Sequence, residues 1–389
     1  MSYQRCLLAS CLTLATLPGW TLAAGATPTP VVNSSDNSAL PANATEKTSA
    51  ASRPLPENQS AIPDAKDPKR LWTLNLYLDN DLFTNTDQQY TNGVKASWIS
   101  PDLNTFENDP SLPGWLKFIN SNMVWLSGKN PAEQRNVVVY LGQTMYTPAD
   151  KDATELIPDD RPYAGYLFGG VSYQRRYSNK LLKVAEVQLG IVGPASLAHE
   201  SQDFIHKLRG FDKFKGWDNQ LHNEPGITVT YAEKNRLFRS ALGGLYSNDL
   251  IGHYGVSAGN VFTGAATGLE YRIGYRLPSD FGSSSIRPAG DNSAPGEKWD
   301  SRVLDGGFGW HVFVSAEGRM VLHNIFLDGN TFEDSPSVDK NLWVGDLSAG
   351  VSMSYSNMKL TFSNVYKTRE FKTQKKSHSY GSIAFSMSY

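Results

Sequence analysis

The chain closes on HSYGSIAFSMSY, residues 378–389. Side chains of an extended strand alternate between two faces, so Ile383, Phe385, Met387 and Tyr389 fall on one side and Ser382, Ala384, Ser386 and Ser388 on the other. A soluble sandwich strand alternates too, so length must decide. Period two also runs through GITVTY (226–231) and KLTFSNVYKT (359–368), and through 71–78, 94–100, 136–146, 164–177, 184–191, 237–246, 263–275, 310–321 and 343–355. Strands of soluble sheets are usually about 5–6 residues long, whereas a tilted membrane strand needs about 9–11. Many of these runs reach ten. The expected fold is all-β, a transmembrane antiparallel outer-membrane barrel of about twelve strands. A soluble periplasmic β-sandwich or barrel is the alternative.

The final strand, ending on an aromatic, resembles the C-terminal insertion signal of bacterial outer-membrane barrels, which implies the barrel assembly machinery as a partner. Tyr77, Trp98, Tyr146, Tyr163 and Tyr177 sit near strand ends, as aromatic girdles require. With both termini periplasmic the strand number is even. The connections 78–93, 147–162, 193–225, 247–262, 328–340 and 373–378 then lie outside. The periplasmic connections include 101–135, whose LPGWLKFINSNMVWL suits a short interfacial helix, and the Gly/Ser/Pro-rich 277–309, which reads as a loop.

The net charge of −2, from 36 basic and 38 acidic residues, gives no push toward nucleic acid. Residues 1–26 have a basic Arg5, an apolar stretch and a small-residue end, the pattern of a secretory signal. Both cysteines, Cys6 and Cys11, fall there, so the mature chain relies on neither disulfides nor thiols. Residues 27–70 are rich in Pro, Ser and Ala without an aromatic, and are expected to be a disordered leader before a barrel domain at 71–389.

Two outer connections carry candidate chemistry. LDNDLFTNTDQQYTNG (78–93) crowds Asp79, Asn80, Asp81, Asp87 and Thr91 into one turn. SLAHESQDFIHKLRG (196–210) breaks the strand period. Ser196 is a good N-cap and Gly210 a good end residue, and Leu197, Phe204, Ile205 and Leu208 form a stripe. Gln202 and His206, four apart, share a face. A surface histidine is the plain reading of His206. Its setting in an outer helix, with Asp212 just beyond, raises a metal-assisted hydrolase instead. There is no G-x-S-x-G. The one histidine two residues before a serine, His199 and Ser201, lies on a helix, where such residues do not face each other. Zinc patterns are missing, and oxygen-rich loops suit a hard cation such as Ca²⁺.

Four ordered blocks then carry a resemblance: Asn80-Asp81; Tyr90-Thr91 followed by Gly93; GQTMYTP…DDRPYAG within 142–165; and IVGPASLAHESQDFIH…GWDNQLHNEPG within 191–226. Together they resemble the outer-membrane lipid A 3′-O-deacylases of Gram-negative bacteria, over essentially 71–389. The resemblance implies a twelve-stranded barrel whose site lies between its wall and an outer helix. It also implies Ca²⁺ and hydrolysis of the ester that holds the 3′-linked acyloxyacyl group of lipid A. Carried over by position, His206 is the base, Gln202 orients water or the ring, and Asn80 donates to the oxyanion. Asp81, Thr91 and Asp212 hold the metal, and Lys151 meets a lipid A phosphate. Asp212 replaces a longer Glu. Asp79 and Asp87 are left as solvated residues. A monomer in the outer membrane is expected. An outer-membrane phospholipase and a non-catalytic pore are the rival functions.

Overall fold

The computed structural model describes residues 67–81, 89–123, 125, 132–210, 212–282 and 286–389. The signal, nearly all of the leader, and Asp87 lie outside them. Twelve strands close into one antiparallel barrel, each paired with its neighbours in sequence and β1 with β12. They are β1 (Thr73–Asn80), β2 (Gln89–Ile99), β3 (Gln134–Thr147), β4 (Ala164–Tyr177), β5 (Leu181–Val192), β6 (Glu224–Gly243), β7 (Tyr246–Gly259), β8 (Phe262–Tyr275), β9 (Phe308–Asn324), β10 (Trp343–Tyr355), β11 (Met358–Lys367) and β12 (His378–Ser388). In the closing seam Thr73 faces Ser388 and Asn80 faces Gly381. The terminal serines line the lumen, where Ser388 Oγ lies 3.0 Å from Thr73 Oγ1. Large apolar side chains such as Leu141, Leu189, Val256, Val314 and Leu347 stand exposed on the opposite face. This pattern of polar within and apolar without is that of a barrel in lipid.

The expected count of twelve holds, but two boundaries move. Residues 226–231 and 237–246 are not separate strands: all but the end of the second belongs to β6 (Glu224–Gly243), and Tyr246–Gly259 is β7 rather than an outer loop. The charged EKNR at 233–236 imitates a turn, yet its residues alternate. Lys234 and Arg236 point into the lumen, where Arg236 pairs with Asp249 at 3.2 Å. Glu233 points out to the hydroxyls of Tyr231 and Tyr254, each at 2.6 Å. The real turn is Gly244-Leu245, closed by the Gly243–Tyr246 pair, and the φ of 121° and 56° at Gly243 and Gly244 favour glycine.

The connection at 276–307 corrects a second expectation. It starts at the periplasmic strand ends but does not stay there; it fills the lumen. Near its base Asp280 holds Arg272 and Lys359, the latter at 2.5 Å, and its carbonyl takes Arg236. Arg176 donates to the Ala294 carbonyl at 2.8 Å. Higher up, Lys95 pairs with Asp291 at 2.9 Å, and the Ala289 and Asn292 amides donate to Glu186 and to Tyr77 Oη. The Ile286 amide reaches Asp79 at the outer end of β1, at 3.2 Å. A cavity of about 240 Å³ remains, lined by Thr228, Lys234, Glu317 and Arg319 among others.

Asp79 is therefore not a solvated loop acid. It is fully buried and accepts from Ser382 Oγ (2.6 Å), Tyr90 Oη (3.1 Å) and the Ile286 amide. Alternation explains this: Asp79 ends the luminal series Thr73, Asn75, Tyr77, while Asn80 takes the outer face.

Candidate active site

The expected outer helix exists as α2 (Ala198–Arg209), between β5 and β6. It ends, as its sequence suggests, on Gly210 with φ 70°. Its N-cap is Leu197 in the left-handed region, not Ser196. The Ser196 hydroxyl instead donates to the Gly193 carbonyl at 2.6 Å and tightens the turn that leads in.

α2 lies on the outside of β3 and β4. Gln143 Nε2 donates to the Ser196 carbonyl at 2.6 Å. Met145, Tyr163, Ala198, Phe214 and Trp217 form one buried cluster between helix, wall and the following loop. Close approach depends on Gly165: a Cβ there would stand 2.1 Å from Ser196 Oγ and 2.3 Å from the Ala198 Cβ. We expect Gly165→Val to push α2 off the wall and to lower activity by about a hundredfold, since an ångström of misplacement suffices for that. The barrel should still fold, and a heat-dependent gel shift would check it. Unchanged activity would mean that α2 need not sit this close.

The sides of α2 are reversed relative to a helix in water. Its buried line is Ala198, Gln202 and His206, the last two only 3% exposed, while Phe204 (67%) and Ile205 face outward with Leu197. The predicted apolar stripe therefore looks away from the barrel, and a polar seat is enclosed behind it; the Leu208 side chain lies outside the described set. An apolar outer face is stable where the surroundings are lipid.

Within that seat His206 Nδ1 lies 2.6 Å from the backbone carbonyl of Asp212. A carbonyl only accepts, so Nδ1 carries a proton, and in the neutral ring the lone pair is on Nε2. Phe214 packs edge-on to the ring. Trp217 Nε1 donates to Gln202 Oε1 at 2.7 Å. That fixes the amide and leaves its buried Nε2 as a donor with no hydrogen-bond partner among the described residues.

Asn80, the last residue of β1, pairs with Asn92 of β2. Asp81 follows, fully buried. The β2–β3 register slips between Tyr90 and Asn92, a bulge at Thr91. The bulge turns the Thr91 hydroxyl outward to Thr147 Oγ1, at 2.7 Å. Thr147 stands two residues from Met145 on one face of β3, so Thr91 and Thr147 border the cluster under α2. Strand register thus sets Asn80 and Thr91 beside the β3 face that carries α2, with its Gln202 and His206.

Lys151 and Asp212 sit at its rim. Their side chains pair at 3.1 Å, and the Asp212 side chain is 84% exposed. Asp212 meets His206 through its backbone, not its carboxylate. Nearby, Arg161 is buried against the Tyr146 ring (4.9 Å) and Glu370 (3.3 Å). Burial pushes the Glu370 carboxyl up, but Lys367, Arg161 and Arg319 hold it down at about 2. Sequence reasoning missed Thr147 and Trp217 as parts of the site. Trp217 stands in the quoted GWDNQ block, but nothing in that block marks its partner. His199 stacks on Trp217 and turns toward Asp203 (3.8 Å), away from any pairing with Ser201.

Fold and site together define an outer-membrane β-barrel that carries a polar cleft on its lipid-facing wall. The family model for outer membrane protein LpxR matches residues 47–389, and the chain belongs to that family. Among solved structures, LpxR from Salmonella typhimurium is similar over 81% of this chain and 99% of that one, with 19% identity and a TM-score of 0.64. The β domain of the Bordetella autotransporter Brka is a looser likeness, with 10% identity and a TM-score of 0.39 over 82% of this chain and 98% of that one. The search of curated proteins matched none. The protein is an outer-membrane protein, as the final strand implies.

Proposed function

We propose that the protein is a Ca²⁺-dependent hydrolase that removes the 3′-O-linked acyloxyacyl group of lipid A in the outer leaflet. One observation carries this reading: α2 buries Gln202 and His206 against the wall while its apolar side faces lipid. An acyl ester could then reach the histidine sideways, without leaving the membrane.

The chemistry follows from the hydrogen bonds. His206 Nε2 takes a proton from water, and the Asp212 carbonyl holds the ring and favours the cation that forms. Gln202 Nε2 donates to that water, its carbonyl being committed to Trp217. Asn80 donates to the developing oxyanion. Lys151 meets a lipid A phosphate once it leaves Asp212.

The donors near Asn80 suit a hard cation, since the Asp81 carboxylate, the Asn80 amide oxygen and the Thr91 hydroxyl are all oxygens. No group of three or more His, Cys, Asp or Glu side chains fit for a metal occurs among the described residues. Neutral oxygens such as those of Asn80 and Thr91 would then make up part of the set beside Asp81. The Asp212 carboxylate, which holds Lys151 through one oxygen, could offer the other. When bound, Ca²⁺ would polarise the ester carbonyl and stabilise negative charge on its oxygen.

The test is mass spectrometry of lipid A from cells expressing the protein, with and without a Ca²⁺ chelator. A 3′ acyloxyacyl loss that vanishes on chelation is expected. In Asp81→Ala the loss should be abolished and not restored by added Ca²⁺; full activity in that variant would remove the metal assignment. Unchanged lipid A with hydrolysed phospholipid would favour the phospholipase reading. A steady ion conductance without hydrolysis would favour a pore, a reading weakened by the filled lumen.

A further inference from the structure

A second helix lies on the same wall at its periplasmic end. It is α1 (Gly114–Met123), in the connection between β2 and β3. On β3 and β4 the luminal series includes Val138, Tyr140, Tyr166 and Phe168. Val137, Val139, Val171 and Tyr173 alternate with these and face out. Leu103, Phe106, Leu112 and Leu116 pack on that outer face, with Ile119 and Met123 at the edge. A polar lock holds the pose: Tyr173 Oη donates to Asn120 Oδ1 at 3.0 Å, and Asn120 Nδ2 donates to the Phe106 carbonyl at 2.6 Å, all buried.

The other side of α1 carries Trp115 and Phe118, and Trp125 follows just beyond; Phe118 is 73% exposed. The level of this face is given by the wall. Val139, at the edge of the α1 cluster, is the register partner of Trp98. Trp98 is exposed on the outer face, as are Tyr246, Phe308, Tyr355 and Tyr389 at the other periplasmic strand ends. α1 thus continues an aromatic girdle outward from the barrel, and whatever surrounds Trp98 surrounds Trp115 and Phe118 as well.

We infer that this face of α1 docks on lipid, at the headgroup–acyl boundary of the periplasmic leaflet, with glycerophospholipid as its partner. Tryptophan rings favour that boundary, having an apolar body and one polar N–H. Lys117, half-buried between the two rings in sequence, is placed for a headgroup phosphate. A second copy of the chain fits the face poorly. Three aromatic side chains offer about 450–750 Å² even when wholly covered, short of the roughly 800 Å² per partner of a stable interface. The contact fixes the depth of β3 and β4, whose other ends carry α2.

The test is a nitroxide label on Phe118→Cys, in a chain with Cys6→Ser and Cys11→Ser, the only native cysteines. The protein is placed in vesicles of phosphatidylethanolamine and phosphatidylglycerol. Collisions with oxygen, which favours lipid, are compared with those of a water-soluble nickel chelate. The oxygen-to-nickel ratio at 118 should be severalfold higher than at Asp305→Cys, in an exposed periplasmic turn, and below that at Leu141→Cys on the lipid belt. A ratio equal to that at 305 would put the face in water and overturn the inference. Low collision with both reagents would mean a protein partner and overturn it too. If Phe118→Cys does not fold, Trp115→Cys reads the same face.

Discussion

His206→Ala should leave a folded barrel whose hydrolysis is slower by about 10²–10⁴-fold, the usual contribution of a positioned acid–base group. Only the ring is lost, because α2 is held to the wall by Met145, Ala198, Phe214 and Trp217. The informative companion is His206→Asn. Its amide nitrogen stands near the place of Nδ1 and can still donate to the Asp212 carbonyl, but it offers no base where Nε2 was. If His206 is the base, both variants are inactive. If it only braces the loop, asparagine restores most of the rate and alanine does not. Initial rates of acyl release, with a heat-dependent gel shift as the check on folding, separate the two.

Asp280→Ala should weaken the barrel by about 3–5 kcal/mol, the cost of breaking a buried pair from one side. Three buried cations, Arg236, Arg272 and Lys359, share the carboxylates of Asp249 and Asp280 with the Asp280 carbonyl. Without the Asp280 side chain, the two arginines would depend on Asp249 and Glu270, and Lys359 would be left without its carboxylate. Lys359 would lose its 2.5 Å partner and Arg272 one of three, keeping Asp249 and, at 4.0 Å, Glu270. The urea midpoint for unfolding from lipid vesicles measures this, with the slope against urea confirming that the same surface is exposed. A shift well under 1 kcal/mol would mean that water in the lumen replaces Asp280 as partner, as it does at exposed pairs.

The lipid-facing half of the fold was legible in the sequence because lipid imposes strict alternation. Residues 383, 385 and 387 cannot be polar without cost, and strands of ten or more announce themselves. The luminal half was not legible. There, charge is permitted wherever a partner exists, so Lys234, Arg236 and Asp249 looked like loop residues until their partners were seen. The same applies to residues 276–307: Gly, Ser and Pro suit a solvated loop and a plug equally, and only the distant Asp79, Glu186 and Arg272 decide. At the site, Gln202 and His206 were readable from helical spacing. Which side of the helix they occupy was not, because an apolar stripe points to the core in water and outward in lipid. Thr147 and Trp217 carry no sign of their own. They matter through a bulge at Thr91 and a ring stack that no spacing encodes.

Asp79 and Asn80 share one peptide bond and look into opposite media. Asp79 is gripped by Ser382, Tyr90 and the backbone of Ile286; Asn80 stands on the face where the substrate would lie. A site inside a globular enzyme is braced by protein on every side, whereas this one has fluid hydrocarbon in front and a sheet one residue thick behind. Its bracing must therefore be supplied from the interior of the cylinder. A chain segment that enters from the periplasm thus underlies the candidate site on the outer wall, and damage to that segment would be felt across the full height of the membrane.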